Sequence, residues 1–273
     1  MTHPILHWSL SSALLPLAVY AGIYAWRFHT VRRETGGRGA GARQALAFAA
    51  GLVLMALAVA SPLDGLGEDY LFSAHMVQHV ILGDIAPLLV LLALSRVIMR
   101  PATRRLHRVE RALGPLAHPV AFLVVGLGLV YLWHIPAMYQ AALANPAVHA
   151  LEHATFFTAG LAIWWPLIQP VPMRRRLVGL ETLGYVGAAK AGLAFLGLFL
   201  TWSSTLAYPY YATVPRIWGL SPIADQNVGG AIMMIEQSTV LVVAFAVLFT
   251  RMLTQSEEDE RRRERLEDAA TAA

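Results

Sequence analysis

The chain has 273 residues, of which 57% are hydrophobic and only 14% charged, and its mean hydropathy is +0.54; a water-soluble domain carries roughly 25% charged residues, so polar surface is too scarce here to face water on all sides. The formal charge is +4, and 20 of the 21 basic residues are arginines gathered in short runs between long apolar stretches, a pattern of membrane topology rather than of a nucleic-acid groove. With no cysteine, disulfides, thiolate zinc sites, iron–sulfur clusters and thiol-based metal transfer within the chain are excluded.

A helix needs about 20 mostly apolar residues to cross a bilayer. Seven stretches qualify, at roughly 8–28, 43–61, 74–98, 118–134, 148–168, 182–207 and 228–251. The expected fold is therefore all-α and polytopic, a seven-helix membrane domain over 1–251 followed by a charged cytoplasmic tail over 252–273. The first stretch has no basic n-region and no small-residue cleavage site, so it reads as a retained span.

The connections set the orientation. Arg32, Arg33, Arg38 and Arg43 lie between the first two spans; Arg100, Arg104, Arg105, Arg108 and Arg111 between the third and fourth; Arg174, Arg175 and Arg176 between the fifth and sixth. The tail adds Arg251, Arg261, Arg262, Arg263 and Arg265, whereas the alternate loops hold Arg216 alone. The positive-inside bias puts the N-terminus outside and the C-terminus in the cytoplasm. An even number of spans would force an arginine-rich loop outside. Trp8, Trp26, Trp133, Trp164, Trp165, Tyr208, Tyr210, Tyr211 and Trp218 fall near span ends, as an interfacial aromatic belt would.

Seven of the ten histidines, His3, His7, His75, His79, His134, His149 and His153, fall on the outer side. Two pairs have ligand spacing: H-M-V-Q-H at 75–79 and H-A-L-E-H at 149–153. Residues four apart share a helix face, about 5–6 Å apart at Cβ, so each pair can grip one ion, with Glu152 placed to ligate or to orient a ring. His134 closes the fourth span at the same level. Imidazole suits copper, zinc, iron and nickel. Copper is favoured, with Met76, Met138, Met233 and Met234 as outer thioethers, and zinc or iron are the alternatives. Packing explains each methionine equally well.

Ionisable groups inside spans are functional candidates by default. Asp84 and Lys190 are expected near the midplane, facing the bundle interior and each other. Glu236, with Gln237 beside it, fits a metal site, a proton path or a polar helix contact. Outside the spans, Asp64 with Glu68 and Asp69 can draw a cation to the outer mouth. Ser61, Ser221 and Asp225 have the local context of helix caps.

Taken together, S-P-L-D at 61–64, H-M-V-Q-H at 75–79, W-H-I-P-A-M-Y at 133–139, H-A-L-E-H at 149–153 and S-P-I-A-D-Q-N-V-G-G at 221–230 resemble the CtaG-type cytochrome c oxidase assembly factors, heptahelical bacterial membrane proteins. The resemblance runs from about residue 8 to residue 251. It implies a non-enzymatic role in maturing a haem–copper oxidase in the bacterial inner membrane, in copper delivery or assembly, with oxidase subunits as partners. His75, His79, His134, His149 and His153 lie in the matching motifs, as do Asp64, Glu152 and Asp225. A single-span copper chaperone family of the same name depends on cysteines, and this chain has none. Two other functions compete. A redox protein would hold haem between residues such as His79 and His153. A transporter would use Asp84, Lys190 and Glu236 across the midplane, although no inverted repeat is visible.

Overall fold

The structure is a computed structural model that describes Trp8 and residues 14–271; His3, His7 and residues 9–13 of the first expected span lie outside the described residues. Helices account for all the regular structure among the described residues. In chain order they are α1 (Leu14–Thr35), α2 (Ala42–Ala60), α3 (Pro62–Asp69), α4 (Phe72–Val80), a π-helical turn (Ile81–Ile85), α5 (Ala86–Ala93), α6 (Arg100–Leu113), a 3-10 turn (Gly114–Ala117), α7 (Pro119–Trp133), α8 (Pro136–Ala144), α9 (Pro146–Ile168), α10 (Leu180–Trp202), α11 (Tyr210–Thr213) and α12 (Pro222–Thr271). Proline sets much of this punctuation. Pro62, Pro119, Pro136, Pro146 and Pro222 each open a helix, where the missing N–H costs nothing and φ is already helical.

Four stretches are long and apolar enough to cross a membrane: Ala42–Ala60, Phe72–Ala93, Leu180–Trp202 and Pro222–Arg265. The α6–α7 pair, bent by 80° at its break, makes a fifth if taken as one span. The sequence count of seven also includes α1 and α9. These helices have 22 and 23 residues, about 33–35 Å of rise, but polar side chains dilute both: Arg27, Arg32 and Arg33 in α1, and His149, Glu152 and His153 in α9. The last helix does not stop at the expected membrane boundary. It continues to Thr271 through the charged segment.

The α4–π-turn–α5 rod is the most enclosed of these stretches, 56% buried, and it touches α2, α9 and α12. Small residues let its neighbours close on it. A methyl group on Gly160 of α9 would lie 2.2 Å from the carbonyl oxygen of Gly83, and one on Gly229 of α12 would lie 2.5 Å from the ring of Phe72 on α4. Outward faces stay apolar, with Phe195, Phe199, Val242, Val243 and Phe245 exposed, a surface that suits hydrocarbon rather than water.

Arginine-rich connections meet at one end of the bundle. Arg27 donates to the carbonyls of Val97 and Ile98, both at 3.1 Å, and the Arg174 N–H donates to Glu110 Oε1 at 2.6 Å. The opposite end gathers the histidines.

Candidate metal centre

Five of the seven histidines expected on the outer side converge there. His75 and His79 come from α4, His149 and His153 from the start of α9, and His134 from the residue that closes α7. Ring centroids are 4.3 Å apart for His75 and His79, 4.2 Å for His149 and His153, and 5.2 Å for His75 and His149. Glu152, fully buried, points between them. Its Oε2 lies 3.7 Å from His75 Nε2 and its Oε1 3.6 Å from His79 Nε2. Ligand atoms of His75, His79, Glu152 and His153 all lie within 4.8 Å of one another.

Hydrogen-bond satisfaction sets this cluster apart. Nε2 of His75, His79, His134, His149 and His153, and both oxygens of Glu152, are buried without a hydrogen-bond partner. Each such group costs roughly 1–3 kcal/mol when nothing replaces water, so several together need a compensating ligand. Two donors about 2.0–2.1 Å from one ion lie at most about 4.2 Å apart, and the 3.6 and 3.7 Å contacts to Glu152 meet that limit. The residues present therefore fit a cation bound by imidazole and carboxylate.

The far side of several rings is already fixed. His149 Nδ1 is 2.5 Å from Glu68 Oε1, and His134 Nδ1 donates to the Val130 carbonyl at 2.8 Å; in both, Nε2 is left for a ligand, the usual arrangement behind metal-binding histidines. His79 stacks on Phe156 with centroids 4.0 Å apart. His75 Nδ1 is 3.3 Å from the Tyr211 hydroxyl, which donates to the Gly67 carbonyl at 2.7 Å. His134 is not one of the four residues whose ligand atoms lie within 4.8 Å of one another, although its ring is 5.9 Å from that of His79.

The helix under the first pair is held from a distance. Asp225, at the start of α12, accepts from the N–H groups of Phe72 and Ser73 at 2.7 and 3.1 Å and from the Ser73 hydroxyl at 2.5 Å. It caps α4 rather than its own helix. A carboxylate at a helix N-terminus satisfies orphan donors and opposes the positive end of the dipole. Ser61 and Ser221 cap locally, accepting from Leu63 and Ala224.

A sequence profile of the cytochrome c oxidase caa3 assembly factor family (Caa3_CtaG) matches residues 22–255. The chain belongs to this family. It is also similar to an uncharacterized protein of Mycobacterium leprae, 26% identical across 97% of this chain and 42% of that protein, and to uncharacterized proteins of Mycobacterium bovis and Mycobacterium tuberculosis, each 27% identical across 73% of this chain and 32% of theirs. The chain thus spans less than half the length of these relatives. No solved structure matches it.

The remaining candidate residues separate by role. Asp64 accepts from Gln78 Nε2 at 2.8 Å, and the same amide donates to the Ala58 carbonyl at 2.7 Å, tying α2, α3 and α4 together beside the histidines. Burial first, and then the Glu68 charge, push the Asp64 carboxyl up to about 6. The hydrogen bond with His149 holds Glu68 below its ordinary value. Glu68, His149 and His153 stand at the polar end of a 770 Å³ cavity that runs down to Leu94 and Trp165.

Asp84 and Lys190 form a buried ion pair. Asp84 also accepts from the Trp164 indole and, at 3.1 Å, from the Gln237 amide, and Lys190 lies 4.5 Å from the Trp164 ring centroid. Glu236 joins this network through Gln237, not the histidine cluster. Met76 and Met233 lie in the apolar core and Met138 packs on it.

The aromatic belt needs correction. Trp8, Trp26 and Trp218 are exposed, but Trp133, Trp164, Tyr208 and Tyr211 are buried. Each of these four has a polar partner inside: Thr155 for Trp133, Asp84 for Trp164, the His134 carbonyl for Tyr208 and the Gly67 carbonyl for Tyr211. Sequence reasoning had no signal for these contacts, since position near a span end is all that a lone aromatic reveals.

Proposed function

We propose that the protein is a non-catalytic assembly factor that binds copper on the outer side of the bacterial plasma membrane and hands it on during maturation of a haem–copper oxidase, whose subunits are its partners. The observation that carries this reading is the set of unpartnered donors around Glu152: three imidazoles and a carboxylate whose ligand atoms all lie within 4.8 Å of one another. The donor set is free of thiolate and suits copper, with zinc and iron as competitors. His75, His79, Glu152 and His153 supply the ligands. His149 supplies a further imidazole nearer the surface, and His134 backs the group.

The proposed topology has seven spans, with the N-terminus outside and the C-terminus in the cytoplasm. In this arrangement a membrane domain covers 1–251, and α12 emerges as a charged tail over 252–273. Separation of the arginine-rich connections from the histidines, at opposite ends of the bundle, supports it. Copper reaching the outer face would meet Glu68 and His149 first, because Glu68 is the partly exposed member of that pair. A haem reading is less well supported, because donors crowded within 4.8 Å leave no slot for a macrocycle between axial rings.

The test is complementation. Cells lacking the protein regain oxidase activity and oxidase-bound copper with the wild-type chain and fail to do so with His75→Ala/His149→Ala at equal membrane abundance. Full restoration by that variant would remove the copper role.

A further inference from the structure

The midplane network holds more acid than base. Asp84 on the π-turn pairs with the ammonium of Lys190 on α10, and Gln237 brings a second acid, Glu236 on α12, against Asp84. The other groups in contact, Trp164 and Gln237, are neutral. α4 also packs on α12, but its His75 and His79 lie further toward the outer end. Fully ionised, the cluster would carry a net charge of −1 in the middle of the bundle, where an uncompensated charge is costly.

Hydrogen bonding indicates how the charge is compensated. Asp84 Oδ1 takes the indole N–H, and its Oδ2 takes Lys190 and Gln237. Glu236 Oε2 takes the Gln237 amide, while its Oε1 is buried and has no partner. The Gln237 amide nitrogen donates to both Asp84 Oδ2 and Glu236 Oε2, so the two carboxyls flank one amide. Two carboxylates at that range repel, whereas one proton between them makes a charge-assisted hydrogen bond and leaves the cluster neutral.

We propose that Glu236 and Asp84 share one proton, forming a proton-binding site on the same rod as the histidine cluster, and that the site gives up this proton when a cation fills that cluster. Asp84 follows His79 by five positions, about 7–8 Å of helix axis. A cation held between His75 and His79 would lie somewhat further, and a unit positive charge about 8–12 Å away, in a medium of effective dielectric about 20, shifts a proton equilibrium roughly ten- to thirtyfold. On release the O–H bond of Glu236 breaks and the proton leaves to water. The second half of the proposal rests on the copper reading; the first does not.

Infrared spectroscopy of the purified full-length chain tests both. Metal-free wild type is expected to show the C=O stretch of a protonated carboxylic acid, shifted in D2O. Glu236→Gln, which mimics the neutral acid, should lose that component and keep the wild-type melting temperature. Lys190→Met should melt lower by roughly 6–20 °C. Adding Cu(I) without oxygen should bleach the component obtained as wild type minus Glu236→Gln. A wild-type spectrum identical to that of Glu236→Gln, or a melting loss in Glu236→Gln equal to that of Lys190→Met, overturns the shared proton. If Cu(I) binds and the component persists, the exchange is overturned. If Cu(I) does not bind, the copper reading fails and the metal-free spectrum still decides the proton.

Discussion

Two polar clusters share the α4–π-turn–α5 rod, and they differ in how their hydrogen bonds are completed. Around Asp84, both carboxylate oxygens find donors in Trp164, Lys190 and Gln237. Around Glu152, neither oxygen finds one, and the facing imidazole nitrogens are equally unpartnered. A satisfied network fixes helices against one another; an unsatisfied one is stable only with something added. The structure therefore separates a carboxylate whose donors hold the bundle together, Asp84, from a carboxylate that waits for a ligand, Glu152, although both are buried and both lie among acids and bases.

The contrast can be broken at several strengths. Replacing both His79 and Glu152 by alanine removes two donors from the core of the open cluster, and bound copper should fall below detection by mass spectrometry of metals while the helical signal in circular dichroism persists. Copper retained by that variant would mean the ligands lie elsewhere. In the closed cluster, Lys190→Met should cost about 3–5 kcal/mol by stranding Asp84, and adding Asp84→Asn should recover most of it; equal instability of the single and double variants in thermal unfolding would rule out a simple pair.

Asp225→Ala removes the remote cap of α4. A loss of about 1–2 kcal/mol in stability should come with roughly 10–100-fold weaker copper binding, the range for groups that orient ligands, and isothermal titration would show whether the two move together. The smallest effect is expected at Met76→Leu, a swap of similar volume in the apolar core that should cost less than about 1.5 kcal/mol. Unchanged copper affinity there would separate packing methionine from a thioether ligand; a large drop would restore the thioether.

Much of the fold is visible in hydropathy, but α1 and α9 show where that signal weakens. In α9 the residues that dilute the apolar run are His149, Glu152 and His153, so a helix expected as a span but too polar to count among the candidate spans carries half the candidate site. The i,i+4 spacing of His75 with His79 and of His149 with His153 is legible because it repeats along one helix. What faces what across helices is not. Asp225 reads locally as the cap of its own helix, yet it serves Phe72 and Ser73, more than 150 residues away in sequence. Gln78 looks like spacer within H-M-V-Q-H, yet it ties Asp64 to α2. The π-turn that carries Asp84 has no residue signature of its own, because Ile81-Leu82-Gly83-Asp84-Ile85 fits an ordinary helix equally well and only packing against Gly160 and Phe156 distinguishes it.

X-ray absorption of copper bound to the purified wild-type chain addresses the central claim most directly. The account predicts an equimolar site with a first shell of nitrogen and oxygen at imidazole and carboxylate distances, and loss of the imidazole scattering in His75→Ala/His153→Ala. A first shell dominated by sulfur, or an unchanged spectrum in that double variant, would contradict it.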